Sequence, residues 1–478
     1  MTVFLEVFLH VTFVFAIAYY FMSAMQWYHY KIERVIFHYH RYTWHGVLFL
    51  LPIALYYVLV EPYVYGVYIL YPIVLFFWNR KNDKKLVLTA RVKRYFLFLF
   101  LALLFQILLC LFSEMCYKNG VLVPIFVAHF ISLAFEKMVF LAYKKEAERK
   151  ISKMNYLKIV AITASYGKTS IKNFLAHILA SQYKVYATPR SVNTLGGIIK
   201  DINEDLKEDT QIYIVEAGAR LRGDINEIAQ CIHPHVAVVS CIGEQHIEYF
   251  KTLENIRNTK MELLNSSRLE KAFVHESATI IPNTKVNVFG EDIVDIQASL
   301  EGTSFSMVIE GEKIPFTCKL LGAFNAINIA AAIHVARHFG LSIESIQKAI
   351  HSLKGVSHRL EKIEAGGKLI VDDSFNGNLE GMLSSYNLMD TYTGRKVIIT
   401  PGIIESTPEA NALLAEKIDS VFDLVFITGK ANQVILDNTI QRTQKIIVTD
   451  KSQLQTLLAE HTQRGDLILF SNDAPSFV

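Results

Sequence analysis

The sequence predicts two joined parts, an apolar helical front and an α/β body. Three observations carry this. Hydrophobic residues are 52% of the 478 and charged residues only 19%, against roughly 25% charged in an ordinary globular chain. The charge is also uneven. Residues 1–150 hold 16 Lys+Arg and 8 Asp+Glu, a balance of +8, and the remainder holds 32 and 37, a balance of −5. From residue 157 onward, short β-branched runs alternate with amphipathic stretches, the pattern of a parallel sheet with crossover helices.

This composition excludes a disordered or disulfide-stapled chain. The acidic body has no basic, aromatic-interleaved surface, so no nucleic-acid partner is expected. Five cysteines, an odd number, predict unpaired thiols in a reducing compartment, and no Cys/His zinc spacing is present. The length suggests about three domains at ~150 residues each: a transmembrane region over 1–150, a central domain over 151–356 and a last domain over 357–478.

Within the front, five stretches approach the ~20 apolar residues that a bilayer core requires: 3–25, 44–60, 63–78, 95–112 and 121–143. The second and third read as a hairpin whose turn, Glu61-Pro62, barely leaves the membrane. The first is too long and too aromatic for a signal peptide. Cations then set orientation. Lys31, Arg34 and Arg41 follow the first segment, and none follows the second. Arg80, Lys81, Lys84, Lys85, Arg91, Lys93 and Arg94 follow the third, and Lys118 alone follows the fourth. Lys144, Lys145, Arg149 and Lys150 follow the fifth. The alternation predicts a multi-pass protein of the inner (cytoplasmic) membrane, with the lipid bilayer as partner. Its N-terminus lies outside and everything after Lys144 lies in the cytoplasm. Glu136 and Lys137 are expected near the cytoplasmic interface, and the aromatics and histidines of 27–44 as an interfacial belt.

The body opens with LKIVAITA, a strand, then TASYGKTS, then an amphipathic helix over 170–182. Strand, Gly-Lys-Thr turn and helix are the parts of a phosphate-binding loop. Backbone N–H groups at a helix N-terminus face an anion. Lys168 can reach terminal phosphates, and the Thr169 hydroxyl can ligate Mg²⁺. Ile162 stands where the generic motif has its first Gly. Two further strands, QIYIVEAGA and HVAVVSCIG, end at Glu216 and just before His246. A doubly wound sheet places its ligand at such strand ends, and a carboxylate with an imidazole could hold Mg²⁺ there. Residues 265–320 read as the sheet edge and its insertions. GAFNAINIAAAIHVARHFG reads as a helix that Gly340 ends. KLIVDDSFNGN, RKVIITPG, LVFIT, KIIVT and DLILFS then give a smaller, Rossmann-like α/β unit.

Taken in order, these segments resemble the Mur ligase family of ATP-dependent amide ligases, over about 158–478. TASYGKTS is similar to the family loop T-G-[ST]-x-G-K-T-[ST], with Ala164 for Gly. RSVNTLGGI resembles its Asn-Thr loop. VEAGARLRGDI, IGEQHIEYF and DDSFNGN resemble the branch that adds D-alanyl-D-alanine. GAFNAINIAAA resembles G-x-H-N-x-x-N-x-x-A-A, with Phe324 for His, and HRLE resembles G-R-x-E. TPGIIESTPEA keeps only Gly402 and Glu405 of a further family stretch.

The resemblance implies a central P-loop ATPase domain, ATP and Mg²⁺ as cofactors, and UDP-MurNAc-tripeptide and D-Ala-D-Ala as substrates. It implies that Ser165, Gly167, Lys168, Thr169, Ser170, Asn325, Asn328, Arg359 and Asp373 bind nucleotide. Thr169, Glu216 and His246 would hold the metal. Lys168, His246 and Lys260 would be catalytic, Lys260 after carbamylation. Asn193, Thr194, Asn376 and Asn378 would touch substrate. The family's own UDP-binding first domain is replaced here by the membrane segments. This leaves open a Mur-like ligase acting on a lipid-linked precursor or making a poly-γ-glutamate-type polymer, and the replacements Ala164 and Phe324 leave open a non-catalytic membrane scaffold.

Overall fold

The computed structural model describes residues 3–28, 30, 32–37, 42–60, 62–82, 84–112, 120–245, 247–375, 377–404 and 406–472. The chain divides into two compact units, Met1–Ala142 and Tyr143–Val478.

The first unit is helical. Three of its described helices are long and apolar enough to cross a membrane: Phe4–Trp27, Ala90–Cys110 and Leu122–Lys153, the last running on into the second unit. The sequence suggested five. The second stretch is broken into Tyr42–His45, a wide π-type turn at Gly46–Leu50 and a helix Leu51–Val58. Pro52 lacks the N–H that regular helical bonding needs, and the backbone widens just before it. The third forms helix Tyr63–Lys81, which ends in Asn79, Arg80 and Lys81. Its apolar part is about 16 residues, or roughly 24 Å, short of a ~30 Å hydrocarbon core. This hairpin packs on the first helix through aromatic contacts. Phe13 meets Tyr68 and Tyr71, and the Tyr71 hydroxyl donates to the Leu48 carbonyl at 2.7 Å.

Glu136 does not simply sit in water at an interface. It accepts two hydrogen bonds from the Arg94 guanidinium, at 2.6 and 2.9 Å, so the acid of one apolar helix is neutralised by the base of its neighbour. Much of the expected belt at 27–44 falls outside the described residues. One cysteine expectation fails: Cys110 is disulfide-bonded. It lies at the end of its helix that the charge alternation puts outside, where thiols oxidise. Cys231, Cys241 and Cys318 are free, and burial raises all three thiol pKa values.

The second unit contains two six-stranded sheets and one of three strands. The first is built from β1 (Lys158–Thr163), β2 (Val185–Ala187), β3 (Ile212–Glu216), β4 (Val236–Val239), β5 (Lys271–His275) and β6 (Val286–Phe289). All are parallel, in the order β2-β3-β1-β4-β5-β6. Strand order, not strand direction, reverses at β1, the switch point where such sheets bind ligands. Ile162 lies opposite Glu216 and Thr163 opposite Val239, so the β1 turn and Glu216 share one edge. Both faces are covered, which is why these strands read as continuous apolar runs. Helices Lys168–Leu179 and Phe324–His338 pack on one face, and Leu195–Glu204 and Asp224–Ile232 on the other. The short edge strand β2 carries no distinct sequence signal.

The 265–320 region resolves into two things. β5 and β6 extend the parallel sheet. β7 (Ile293–Ser299), β8 (Gly302–Ile309) and β9 (Glu312–Cys318) form a separate antiparallel sheet rather than an edge of the first. The last sheet has β10 (Glu361–Ala365), β11 (Lys368–Asp373), β12 (Lys396–Thr400), β13 (Leu424–Thr428), β14 (Gln444–Val448) and β15 (Leu467–Ser471), in the order β10-β11-β15-β12-β13-β14. Only β10 is antiparallel to its neighbour.

Candidate nucleotide and metal site

Between β1 and its helix the chain turns through Ala164–Gly167. Gly167 has φ +82°, a left-handed conformation that L side chains rarely adopt, and a Cβ there would overlap the Asn328 amide. Ser165 fastens the turn to the end of β4. Its N–H donates to the Cys241 carbonyl at 2.8 Å. Its hydroxyl donates to the Gly243 carbonyl and accepts from the Gly243 N–H, both at 2.9 Å. Lys168 folds back over the turn and donates to the carbonyls of Ala164 (2.7 Å) and Ser165 (3.1 Å) and to Gln245 Oε1 (3.2 Å). Burial pulls its pKa down to about 8, against the raising pull of Glu216, with Arg359 lowering it further.

Glu216 ends β3 with its side chain buried. Its Oε2 accepts from the Thr169 hydroxyl at 2.8 Å and its Oε1 accepts from Asn193 Nδ2 at 3.0 Å. This is therefore not the solvated helix-end acid that a strand-end glutamate often is. Thr169 and Glu216 together present hard oxygen donors beside the phosphate turn. That suits Mg²⁺, which keeps several waters and takes one or two protein oxygens plus substrate phosphates. Among the described residues no cluster of three or more His, Cys, Asp and Glu could hold a metal unaided. The buried hydroxyl of Thr163, at the end of β1, has no hydrogen-bond partner among the described residues, so this edge retains polar capacity for a ligand. Lys260 Nζ donates to the Ala164 carbonyl at 2.8 Å. Burial, and then the Lys168 charge, hold its pKa well below the usual lysine range.

Residues 162–336 match the family model for the Mur ligase middle domain. This part of the chain is similar to a Mur ligase middle domain. The chain is 28% identical over 337 residues to the UDP-N-acetylmuramoyl-tripeptide–D-alanyl-D-alanine ligase of Bacillus subtilis, covering 66% of this chain and 72% of that one. It is 24% identical to the enzyme of the same name from Rickettsia prowazekii, covering 70% and 78%. Among solved structures it resembles MurF ligase from Thermotoga maritima in complex with ADP, with TM-score 0.62, 26% identity, and 70% and 80% coverage.

Placed on the Mur ligase fold, most of the expected residues converge. Ser165, Gly167, Lys168, Thr169, Ser170, Glu216, Lys260 and Asn193 surround the turn. Asn328 abuts Gly167, and its Nδ2 donates to Asn325 Oδ1 at 3.4 Å. Asn325 donates in turn to the Leu321 carbonyl at 2.8 Å. Arg359 stacks over Phe375 at 4.6 Å and is close enough to Glu216 and Asp373 to interact with both charges. Burial raises the Asp373 carboxyl to about 7, partly opposed by Arg359. Phe324, where the family motif has His, packs into the apolar core of the last sheet, partly buried.

Two residues have local structural work instead. The Thr194 side chain caps helix Leu195–Glu204 by accepting from the Gly197 N–H, and Asn378 caps helix Leu379–Asp390 by accepting from the Gly381 N–H. His246, Asn376 and Glu405 lie outside the described residues. The sequence reading missed four contributors. Gln245 holds Lys168. Tyr166 covers Gly243, and burial and nearby acids push its phenol up to about 12. His358 bonds to Asp372 at 2.7 Å, tying the Arg359 turn to β11. Lys172 lies buried behind Glu216. Its signal was present: it follows Lys168 by four residues on the apolar face of an amphipathic helix, where a lysine is out of place.

Proposed function

We propose that the protein is a membrane-anchored ligase that uses ATP to join D-alanyl-D-alanine to UDP-MurNAc-tripeptide. The observation that carries this is the convergence of Lys168, Thr169, Glu216 and Asn193 on one edge of a Mur ligase middle domain. The relatives' shared name supplies the substrates. Residues 151–356 are taken as the ATP-binding part and 357–478 as the part that closes over it.

A carboxylate does not react with an amine at neutral pH. Transfer of the ATP γ-phosphoryl group to it gives an acyl phosphate and ADP. The amine then attacks the carbonyl, a tetrahedral oxyanion forms, and its collapse expels phosphate and leaves an amide. Such transfers depend on positioning and on neutralising charge. Gly167 lets the backbone approach the phosphates, Lys168 meets their terminal charge, and Arg359 with Asp373 brings the last part of the chain to the nucleotide. Asn325 and Asn328 support the loop beneath it. Thr169 and Glu216, with His246, would hold Mg²⁺, which would neutralise phosphate charge. A carbamylated Lys260 adds a further anion; its low proton affinity leaves the neutral amine that carbamylation requires. Asn193 would lie on the acid-substrate side and Asn376 would be a further substrate contact, while Thr194 and Asn378 serve as helix caps.

The front third anchors the ligase in the inner membrane. Three crossings, like five, put its two ends on opposite sides, so the N-terminus outside and the catalytic body in the cytoplasm remain compatible with the cationic loops. Conversion of UDP-MurNAc-tripeptide to the pentapeptide by purified protein, followed by mass spectrometry, tests the proposal. Amide formation on a different acid with none on this one would favour the lipid-linked alternative.

A further inference from the structure

Lys172 is a buried ammonium that the reaction as described does not use. Its side chain is 1% exposed. It donates to the carbonyls of Thr188 at 2.6 Å and Arg190 at 2.5 Å, and lies 3.9 Å from Glu216 Oε2. Those carbonyls belong to the segment between β2 and Asn193, where Arg190 takes a left-handed φ of +49°. Thr188 in turn accepts the Glu216 N–H on its hydroxyl at 3.3 Å. Asp201, the other acid facing Lys172, is buried and already accepts from Tyr186 at 2.7 Å and Tyr213 at 2.6 Å.

We propose that Lys172 is a positioning residue that presets Glu216 and the 188–193 segment, so that carboxylate and Asn193 meet the metal and the acid substrate already aligned. A buried lysine needs compensation, and here the compensating groups are the two carbonyls of one loop and the carboxylate beside the phosphate turn. A single side chain therefore joins the nucleotide helix, the substrate segment and β3. A lysine needed only to fill the core would be replaced by Met without consequence for the metal.

The inference rests on the ligase reading, and its test separates the two. A fluorescent ADP analogue is titrated into detergent-solubilised full-length protein, with and without Mg²⁺, for wild type, Lys172→Met, Lys172→Arg, Glu216→Gln and the double variant Lys172→Met/Glu216→Gln. Lys172→Met is expected to raise the Mg²⁺ concentration for half-maximal tightening by about tenfold, with Mg²⁺-free affinity within about twofold of wild type. The double variant is expected to match Glu216→Gln. Lys172→Arg keeps the charge but moves it, so a smaller rise of about threefold is expected, and this variant decides if Lys172→Met does not fold. Wild-type Mg²⁺ dependence in the variants, equal losses with and without Mg²⁺, or full additivity in the double variant overturns the inference. Wild-type protein that binds no nucleotide overturns the ligase reading and the inference with it.

Discussion

Replacing Gly167 by Ala perturbs the phosphate turn at one atom. Two terms add. The residue has φ +82°, and an L residue held in the left-handed region costs roughly 1–2 kcal/mol. The new Cβ also overlaps the Asn328 amide. Asn328 is buried on a helix packed against the sheet, so relief requires an off-rotamer amide or a shifted helix, about 1–3 kcal/mol for overpacking of this kind. Gly223 supplies the internal control. Its φ is +95°, but a Cβ there meets nothing within 4 Å, so Gly223→Ala carries only the backbone term. Gly167→Ala should therefore destabilise the body by on the order of 2–5 kcal/mol and Gly223→Ala by about 1–2 kcal/mol. At roughly 2–4 °C per kcal/mol for a sizeable domain, differential scanning fluorimetry should separate the two by several degrees. Gly167→Ala should also lose the stabilisation that Mg²⁺ and ADP confer, while Gly223→Ala keeps it. Equal melting temperatures, or an intact ADP response in Gly167→Ala, would refute the claim that this turn is shaped by contact with Asn328 around a phosphate site.

Further expectations follow from the same geometry. Lys168 has a pKa of about 8 in the free site, and a phosphate favours its charged form, so the complex holds the proton more tightly. ADP affinity, measured by calorimetry, should be flat below pH 8. It should then fall by up to about tenfold per pH unit above it, until the pKa of the complex is reached; an unchanged affinity at pH 9 contradicts this. Asp373, raised to about 7 by burial, is more easily protonated folded than unfolded, so it lowers stability progressively from about pH 4 to 7. Asp373→Asn should gain stability relative to wild type over that window and no more above it, as followed by urea unfolding. Lys260 should give a carbamate signal with ¹³C-bicarbonate that Lys260→Ala lacks. A reporter fused to the N-terminus should be accessible from outside the cell, and one after Val478 from the cytoplasm only.

The parallel sheet was legible because its buried strands are short apolar runs, two of which lead into candidate site residues. Lys158–Thr163 runs into the Gly-Lys-Thr turn and Ile212–Glu216 into its terminal acid. β2 was not legible, since three half-buried edge residues carry no pattern. The separate β7–β9 sheet was missed because alternating strands look alike whichever sheet they join. The front third was over-read. Composition counted 44–60 and 63–78 as spans, but Pro52 and the polar end at Asn79–Lys81 shorten the helices that form. In the site, residue identity gave the donors but not their partners. Asn193 bonding Glu216, and Lys172 behind it, depend on contacts across 23 and 44 residues that no local pattern encodes. Thr194 and Asn378 show the reverse case: polar residues at motif positions whose side chains are used to start helices.

Ligase activity is measured as ADP release from the purified full-length protein, supplied with ATP, Mg²⁺, UDP-MurNAc-tripeptide and D-alanyl-D-alanine, omitting each in turn. Release should require both the acid and the dipeptide, match the pentapeptide formed, and be abolished by Lys168→Ala. ADP release that ignores either substrate, or none with both present in folded, ADP-binding protein, would contradict the ligase reading.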